Sequence, residues 1–600
     1  MTLTKFAGSY EGIDPWEGPL SGLTQYLSAA LSDQGAVTDP ATVRQQLDVA
    51  GSSGWDVAFA VHRFAKLLAR PAPEVARDLA SRAPEIPGLL TPEPTGPYLN
   101  YRVDPQWLVE TTLRLVLERG RQYGHAPPTG PTASVEHTSA NPVGPFHIGR
   151  VRNSIIGDTL ARVLRASGVP VTTQYYVDDV GRQAAMITWI WSKTYSSWPD
   201  EIRSQVPAPE VAGDQIKPDH RYGRPYPFVS AYLKTHPEAG AEVAEISKEL
   251  ESGKVPAEHR RLGELILGGM LASLARLDIH FDEFVWESSF LTDGSAHQVV
   301  ERLRQAPHAQ VEDNGALAID GASYGLPTEN ARIIVTRGDG TTLYPTRDVA
   351  YHLQKFARFD RVLDVLGQDH ELHGKVLDAL LTEIGETRRP EFVFYQYITF
   401  EGGKMSTRAG RVVHMDDLLE EAVKRARSEV LQRREDLSGD EVEAIAEHVA
   451  TAAVRYLVVR TAPEKTVDFQ WNEALSFEGR SGPFLQYSYA RATSLLRKAE
   501  RAAGPYPFRV EQLQGPEELA LVRLISRLPA TIAYAARTAH VHTLATHAHE
   551  LADQFNRFYQ NVPVLKSVDP RDSRIALVAA LRHSLGSALD LLGIVALERM

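Results

Sequence analysis

The sequence of 600 residues contains no cysteine. This absence excludes disulfide bonds, thiolate catalysis and zinc sites that use cysteine ligands. The sequence also lacks an uninterrupted apolar run long enough to cross a bilayer, and it does not begin with the basic and apolar segments of a signal peptide. We therefore expect a cytoplasmic protein that makes no membrane contact.

Basic residues are outnumbered, with 64 lysines and arginines against 76 aspartates and glutamates and a formal net charge of -12. A nucleic-acid partner would therefore need a local basic face on an acidic background. The chain is too long for one hydrophobic core, which predicts at least three domains. We place them at 1–125, 126–435 and 436–600, with a Pro/Gly-rich linker at 120–131 between the first two.

The stretch 135–158 predicts a strand, a Pro/Gly-rich loop and a helix. The strand ends near Glu136, and apolar residues recur at helical spacing over 148–163. A second strand, predicted at 171–177, completes a β-α-β unit of the kind that builds a parallel nucleotide-binding sheet. The loop would then lie at the carboxyl end of its strand, where such sheets bind ligands.

His147 and Arg150 are three residues apart at the start of the predicted helix. Both would face the helix N-terminus, where unpaired N–H groups and the helix dipole favour an anion such as a phosphate. Gly149 has no β-carbon, so a flat base could approach the backbone closely there. The alternative is a loop that only turns the chain and leaves His147 and Arg150 in solvent.

Two short motifs carry a resemblance to a known family. H-I-G-R at 147–150 resembles the first signature of class I aminoacyl-tRNA synthetases, and K-M-S-T-R at 404–408 resembles the second. The longer E-H-T-S-A-N-P-V-G-P-F-H at 136–147 resembles the arginyl-tRNA synthetases in particular. Arg150 departs from the family pattern, which usually has a second histidine at this position.

The resemblance implies a multidomain α/β protein with three parts. These are an N-terminal α+β domain that contacts the elbow of the tRNA, a Rossmann-like class I catalytic domain and an all-α anticodon-binding helix bundle. It also implies the activity. ATP, with its Mg²⁺, would activate L-arginine to arginyl-adenylate, and the arginyl group would pass to the 3′ end of tRNA(Arg). By the same resemblance, the activation step itself requires tRNA.

The resemblance also implies which residues bind arginine. Tyr344 and Asp348 match the pair that binds the guanidinium, a planar fork that a carboxylate meets with two hydrogen bonds. Glu136 matches a second acidic residue of that pocket, while Ser139 and Asn141 match residues that hold the α-amino and carboxylate groups. Without the resemblance, Asp348 would be an ordinary N-cap of a helix that begins there.

A buried strand is predicted at 362–366 and ends at Gly367, beside which the family packs adenosine. Either Gln368 or His370 would take the position of a glutamine that touches arginine in the family. The neighbouring His, Asp and Glu side chains could instead bind a metal. Since a strand-to-helix turn that holds a base or ribose needs polar side chains anyway, we expect no tightly bound metal.

Lys404 follows a strand predicted at 392–400 and lies in a loop flanked by glycines. Such a loop can bring an ammonium onto the ATP phosphates as charge builds there. We therefore expect His147, Arg150 and Lys404 to be catalytic, with His147 also touching arginine. The predicted ATP-binding residues are His147, Gly149, Arg150, Gly367, Lys404, Met405 and Ser406.

Most of the remaining chain has helical patterns. In the first domain these predict a helix at 56–68 and a strand at 96–103, and in the catalytic domain a helical insertion at about 186–300. Five patterns predict the C-terminal bundle, at 442–459, 484–501, 517–537, 540–559 and 574–592. The resemblance implies that Tyr487 and Met600 face the anticodon loop, although Tyr487 could equally be an interior residue of the bundle.

Two alternative functions remain at this point. One is another class I synthetase, which would need a pocket without Glu136 and Asp348 facing the substrate. The other is a catalytically silent paralogue that binds tRNA or arginine for regulation, for which Arg150 is the only support. We expect the protein to be a monomer whose partners are tRNA(Arg), L-arginine and ATP.

Overall fold

The structure is a computed structural model, and it describes most residues of the chain. The described residues are 12–49, 55–208, 216–327, 329, 331–400, 403–404, 414–434, 436–566 and 569–600. At residues 400, 403 and 404 only the backbone is described.

The N-terminal region combines a small antiparallel sheet with helices. Its strands are β1 (Leu47–Val49), β2 (Val57–Ala60), β3 (Glu93–Thr95) and β4 (Tyr98–Tyr101). Its helices are α1 (Glu17–Asp33), α2 (Pro40–Arg44), α3 (His62–Leu67), α4 (Ala72–Ser81) and α5 (Pro105–Arg119). The strand order is β1-β2-β4-β3.

The predicted helix at 56–68 is wrong in its first half, where the chain forms β2 and only then α3. Phe59 pairs with Leu99 of β4, and Val57 and Phe59 are both fully buried. The local pattern suggested a helix because short apolar runs suit both structures. Pairing with a strand about 40 residues further along the chain decided between them.

The described residues of the next part of the chain form eight strands. They are β5 (Ala133–Glu136), β6 (Val171–Val177), β7 (Glu283–Trp286), β8 (Ala309–Val311), β9 (Leu317–Asp320), β10 (Arg332–Ile334), β11 (Arg361–Gly367) and β12 (Glu391–Tyr395). Five of them form a parallel sheet in the order β12-β11-β5-β6-β7. The other three form an antiparallel sheet in the order β10-β9-β8. The predicted strands at 171–177 and 362–366 are confirmed.

Helices connect the strands of this part of the chain. They are α6 (Val151–Ala166), α7 (Gly181–Trp191), α8 (Asp200–Arg203), α9 (Pro218–Gly223), α10 (Tyr226–Tyr232), α11 (Pro237–Glu251), α12 (Ala257–Arg276), α13 (Ser289–Thr292), α14 (Ser295–Arg304), α15 (Tyr344–Arg358) and α16 (Glu371–Glu383). Helix α6 joins β5 to β6, so the predicted β-α-β unit is present. Strand β7 belongs to the sheet although it lies within the range 186–300 that we expected to be a helical insertion.

The C-terminal region is mostly helical. Its helices are α17 (Met415–Arg433), α18 (Gly439–Val459), α19 (Trp471–Ala474), α20 (Gly482–Lys498), α21 (Pro516–Ser526), α22 (Leu528–Thr538), α23 (His542–Asn561) and α24 (Arg571–Leu591). The region also has a small sheet of three strands, β13 (Ile398–Phe400), β14 (Gly403–Lys404) and β15 (Val467–Phe469), in the order β14-β13-β15. Strands β13 and β14 precede α17, and β15 lies between α18 and α19.

The predicted single helix at 517–537 is in fact two helices, α21 and α22. Pro529 lies in the first turn of α22, where its missing N–H and fixed φ suit a helix start and would disrupt a continuous helix. Over 516–538 the described chain is long and apolar enough to cross a membrane, but half of the most apolar window is buried inside the protein. These two helices pack in the bundle and do not form one long apolar helix.

The N-terminal region packs against the C-terminal bundle. The Trp16 indole N–H donates to Ser526 Oγ at 3.0 Å, and Arg121 Nε donates to Asp590 Oδ2 at 2.9 Å. These contacts join residues that are more than 400 positions apart in the sequence. The two ends of the chain therefore form one structure around the parallel sheet.

Candidate active site

The carboxyl ends of β5, β6 and β11 open onto a cleft of about 710 Å³. Most of the residues predicted to bind arginine or ATP line this cleft: Glu136, Ser139, Asn141, Arg150, Tyr344, Asp348, Gly367 and His370. Three others, His147, Gly149 and Gln368, are not among its lining residues. Met405, Ser406 and the side chain of Lys404 lie outside the described residues.

The loop after β5 has an unusual backbone conformation. Thr138 and Ser139 both have positive φ angles, 72° and 39°, which non-glycine residues adopt only when their surroundings hold them there. Asn153 of α6 accepts from the Thr138 N–H at 2.6 Å and donates to the Val365 carbonyl at 2.8 Å. One amide side chain thus joins this loop to β11 and sets the floor of the cleft.

Glu136 already has a positively charged partner. Lys355 Nζ donates to Glu136 Oε2 at 2.5 Å and to Asp364 Oδ1 at 2.7 Å, and it is fully buried. Ser139 Oγ donates to the other oxygen of Glu136 at 2.9 Å. Burial raises the pKa of Glu136, and the Lys355 charge opposes that rise. The charge of Glu136 is therefore largely balanced within the protein itself.

Asp348 does not begin a helix, so the expectation that it opens one is wrong. Helix α15 begins at Tyr344 with Pro345 in its first turn, a position that proline favours, and Asp348 lies one turn further in. Residues four apart share one face of a helix. Tyr344 and Asp348 therefore face the cleft together, and the N-cap explanation for Asp348 does not apply.

Two histidines hold the Asp348 carboxylate. His373 Nε2 lies 2.8 Å from Oδ2, and His352 Nδ1 lies 3.1 Å from Oδ1. Burial alone would raise the pKa of Asp348, but the charges and hydrogen bonds of the two histidines hold it well below its usual range. Asp348 is therefore an anion at neutral pH.

His352 is itself held by a second carboxylate, since its Nε2 lies 2.7 Å from Asp364 Oδ2. Burial and the Lys355 charge lower the pKa of His352, but Asp348 and Asp364 outweigh them and raise it to about 10. His352 is thus a permanent buried cation between two aspartates at neutral pH.

Asn141 is oriented by two acceptors. Its Nδ2 donates to Asp178 Oδ2 at 2.7 Å and to Gln183 Oε1 at 3.1 Å. Burial raises the pKa of Asp178, and burial together with the Asp178 charge raises the pKa of Glu287 well above its usual range. Both Asp178 and Glu287 line the cleft, and the buried Arg347 guanidinium, which donates to Glu287, opposes the rise in the pKa of Glu287.

His147 has a defined tautomer. Its Nδ1 accepts from the Gly149 N–H at 2.9 Å. Burial, His414 and Arg150 all lower the pKa of His147, so the ring is neutral at pH 7 and carries its proton on Nε2. A β-carbon at Gly149 would lie 2.9 Å from His147 Nδ1, which explains why the position needs glycine.

Arg150 ends the 3-10 turn Ile148–Arg150 that precedes α6, and its side chain lines the cleft. Its guanidinium makes no hydrogen bond and no ion pair with any residue in the described part of the chain. The charges of Asp348, Lys355 and their partners balance one another. The Arg150 guanidinium, in contrast, keeps its five N–H donors for a ligand. An anion in the cleft would find its donor here.

Gln368 and His370 differ in their surroundings. Gln368 Nε2 donates to Glu371 Oε2 at 2.7 Å, whereas His370 lines the cleft. Burial lowers the pKa of His370, so it is neutral at pH 7. The geometry therefore favours His370 for the position that the sequence left open.

The two signature segments meet in the structure. His147 and His414 form an isolated antiparallel β-bridge, and Lys404 pairs with Thr399 across β13 and β14. The second signature thus begins on a small sheet, and His414, six residues beyond its end, lies beside the first signature.

Sequence reasoning missed several titratable residues in or beside the cleft, among them Asp178, Glu287, His352, Lys355 and His373. For His352 and Lys355 a signal existed, since they follow Asp348 on α15 by four and seven positions and so share its helix face. Asp178, Glu287 and His373 come from other elements, and their spacing in the sequence carries no such signal.

The comparisons with known proteins agree with this geometry. The model of the class I (R) tRNA synthetase catalytic domain matches residues 112–471, and that of the DALR anticodon binding domain matches 485–600. An arginine–tRNA ligase of Methanocella arvoryzae is 39% identical over 569 residues, which cover 94% of this chain and 97% of that protein. The chain belongs to the arginyl-tRNA synthetase family.

Other relatives support the same membership. An arginine–tRNA ligase of Methanothermobacter thermautotrophicus is 41% identical over 531 residues, 88% of this chain and 90% of the relative. The solved arginyl-tRNA synthetase of Thermus thermophilus has a TM-score of 0.80 at 28% identity and covers 96% of this chain and 99% of its own. The fold class predicted for this family, a class I parallel-sheet domain with an all-α C-terminal domain, is confirmed.

The two residues predicted to face tRNA lie in the C-terminal part. Tyr487 accepts from Arg491 at 3.0 Å, and the Arg491 guanidinium lies 4.6 Å from the Tyr487 ring and 4.9 Å from the Tyr559 ring. The carbonyl of Met600 accepts from Arg434 at 2.7 Å. Tyr487 is half-buried, so it is not an interior residue.

Proposed function

We propose that this chain activates L-arginine with ATP and transfers the arginyl group to tRNA(Arg). The observation that carries the proposal is Asp348, an anionic carboxylate in a cleft that also holds Arg150, a cation that pairs with no carboxylate among the residues that the structure describes. A carboxylate suits the guanidinium of arginine, and an uncommitted guanidinium suits the phosphates of ATP. The family membership of the chain supports the same pairing.

For arginine, Asp348 and Tyr344 would bind the guanidinium end. Four other predicted ligands line the same cleft: Glu136, Ser139, Asn141 and His370. His147, which the sequence also predicts to touch arginine, is not among the lining residues and lies three positions before Arg150, which is. The amide of Asn141 donates to Asp178 and Gln183, which leaves its carbonyl oxygen to accept from the α-amino group. His370 is preferred to Gln368, because the amide of Gln368 is engaged by Glu371.

For ATP, the first signature supplies two different donors. His147 is neutral and offers Nε2–H, while Arg150 offers a charged fork. Gly149 and Gly367 let the nucleotide approach the backbone. Lys404, Met405 and Ser406 complete the proposed ATP site, with Mg²⁺ entering as part of the nucleotide substrate.

The chemistry needs no covalent nucleophile from the protein. The carboxylate of arginine attacks the α-phosphorus of ATP, a new O–P bond forms, and pyrophosphate leaves. A ribose hydroxyl at the 3′ end of tRNA then attacks the activated carbonyl, and AMP leaves. His147, Arg150 and Lys404 assist by positioning the phosphates and by stabilising their negative charge in the transition state.

One group of described residues has the spacing of a cation site, Asp219, His220 and Asp416. The Lys217 ammonium already contacts both carboxylates, at 3.2 Å from Asp219 and closer to Asp416. A second cation between them would be repelled, so this group does not suit a metal.

For tRNA, the Arg491 guanidinium lies close to the rings of Tyr487 and Tyr559. We propose that these three side chains form a surface on which anticodon bases stack. Tyr487 and Met600 are the proposed contacts, and the N-terminal domain 1–125 is proposed to contact the elbow. We further propose that the protein acts as a monomer in the cytoplasm.

The decisive experiment is ATP–pyrophosphate exchange by the purified full chain with a panel of amino acids, with and without tRNA. Of the amino acids in the panel, we expect only arginine to support exchange, and only when tRNA is present. Exchange with a different amino acid would point to another class I synthetase. Arginine binding without exchange or aminoacylation would favour the silent paralogue.

A further inference from the structure

His373 occupies the carboxylate that the proposed substrate needs. Its Nε2 lies 2.8 Å from Asp348 Oδ2, and its ring lies 5.5 Å from the Tyr344 ring at an interplanar angle of 29°. A guanidinium binds a carboxylate best when it can use both oxygens in a planar fork. His373 already uses Oδ2, and His352 Nδ1, which is hydrogen-bonded to the Asp348 backbone carbonyl at 2.8 Å, lies 3.1 Å from Oδ1. A guanidinium fork on Asp348 therefore competes with the imidazole of His373.

Only one of the two histidines is able to move. His352 is buried, with 3% of its side chain exposed, and Asp364 holds its other nitrogen at 2.7 Å. His373 is 25% exposed and lies on the cleft wall at the start of α16. It can turn towards solvent without leaving a buried charge behind, whereas His352 cannot.

We propose that His373 is a specificity-determining residue that occupies the guanidinium site in the empty enzyme and is displaced by arginine. The inference rests on the proposed function, since it assumes that Asp348 binds the guanidinium. In the exchange, the N–H bond at Nε2 of the imidazolium breaks and its proton passes to solvent. One cation, the guanidinium, replaces another, and the charge of the pocket stays constant.

The groups around His373 explain why the proton is present and why it leaves. Asp348, His352 and Tyr344 face it from α15, Asp369 and His370 from the preceding turn, and Glu136 from β5. Burial lowers the pKa of His373, but the charge and hydrogen bond of Asp348 outweigh burial and raise it above 6.5. Once a guanidinium takes Asp348, burial and the His352 charge remain, and both favour the neutral ring.

This arrangement selects for a substrate with a permanent positive charge. A neutral side chain of the same shape, such as the urea of citrulline, cannot replace the imidazolium charge at Asp348. A primary ammonium meets the carboxylate at one point and lacks the fork. The neutral side chain would leave the His373–Asp348 pair in place, and the ammonium would displace His373 with fewer hydrogen bonds than the guanidinium. His373 thus adds discrimination beyond the shape of the cleft.

The proposal predicts a direction of pH dependence. Below the pKa of His373 in the empty enzyme, each arginine must displace a proton, so arginine affinity falls by about tenfold for each unit of falling pH. Above that pKa the proton is already absent and the affinity becomes constant. Arginine keeps its own charge throughout this range, so the dependence belongs to the protein.

The test is calorimetric titration of the full chain with L-arginine at pH 7 in phosphate and in Tris, whose ionisation heats differ. The difference between the two heats gives the number of protons released. We expect wild-type protein to release a substantial fraction of one proton, and His373→Asn to release close to none. His308→Asn is the matched control, because His308 pairs with Glu383 at 2.6 Å outside the cleft and should leave the release unchanged.

Saturable arginine binding with equal heats in both buffers would overturn this proposal and leave the proposed function standing. So would an unchanged proton release in His373→Asn. If that variant does not fold, the pH dependence of arginine affinity in wild-type protein decides, because affinity independent of pH between 6 and 9 contradicts the exchange. Absence of any arginine binding by folded wild-type protein would overturn the proposed function first.

Discussion

At the scale of single residues, the proposed use of arginine rests on the charge of Asp348. Asp348→Asn keeps the shape and the ability to hydrogen-bond but removes the anion. We expect the KM for arginine to rise by roughly a hundredfold, about 3 kcal/mol, because one partner of a buried charge pair is lost. The KM for ATP should change little.

Asp553→Asn serves as the control for Asp348, since Asp553 forms a surface ion pair with Arg557 far from the cleft. Both KM values follow from ATP–pyrophosphate exchange. An arginine KM equal to that of wild-type protein would remove Asp348 from the pocket.

Arg150 differs from the family at the centre of the proposed chemistry, yet it still places donors at the cleft. We expect Arg150→Ala to slow adenylate formation by roughly tenfold to a hundredfold, the value of one hydrogen bond to a charged group. Arg150→His should keep a large part of the activity, because histidine supplies a donor at the same helix start.

The exposed Arg182, which does not line the cleft, provides the control variant Arg182→Ala. The rate of adenylate formation in single turnovers is the measurement. Inactive wild-type protein that becomes active in Arg150→His would instead support a silent paralogue.

At the scale of elements, the insertion between β6 and β7 contacts both the start of α17 and the loop of the first signature. Asp416, in the first turn of α17, accepts from Ser273 of α12 at 2.7 Å and from His220 of α9 at 2.7 Å. A β-carbon on Gly223 of α9 would lie 2.1 Å from the Gly144 Cα in the first-signature loop, so the two backbones touch. Helix α9 therefore links the start of α17 to the loop of the first signature.

Asp416→Asn should weaken this link without reaching the substrate. We expect kcat for adenylate formation to fall by roughly tenfold, about 1.4 kcal/mol, while the KM for arginine stays unchanged. Glu420→Gln, one turn further along the exposed face of α17, should change neither value. A rise in the arginine KM with constant kcat would contradict a positioning role for Asp416.

At the scale of the whole molecule, one buried arginine joins three regions. Arg455 of α18 is fully buried, pairs with Asp158 of α6 and donates to the carbonyls of Leu592 and Leu277 at 2.7 and 2.6 Å. A β-carbon on Gly593 would lie 2.2 Å from its guanidinium carbon, so the chain end passes directly over it. The bundle, the catalytic sheet and the insertion meet at this side chain.

Arg455→Met should destabilise the protein by roughly 3 to 5 kcal/mol, because it leaves a buried carboxylate with one partner fewer and two carbonyls without a donor. The midpoint of urea unfolding is the measurement. Arg557→Met, which breaks a surface pair with an expected effect below about 1 kcal/mol, is the control. Equal midpoints for the two variants would show that Arg455 is not needed to join the domains.

Local patterns in the sequence determined the β-α-β unit around 135–177, because strand and helix periods there are set by neighbouring residues. The family resemblance predicted that Arg150 and Asp348 share one site, and both line the cleft, whereas His147 is not among its lining residues. Domain boundaries at 125 and 435 stay a prediction.

Only the tertiary structure decided the charge state of that site. Lys355, Asp364 and His373 reach Glu136 and Asp348 from different elements, so no spacing in the sequence could reveal that they meet. The same reason explains β2, which the pattern predicted as helix until pairing with β4 outweighed local preference. Burial and opposite charges then set each pKa in the cleft, and both depend on which distant residues the fold brings within a few ångströms.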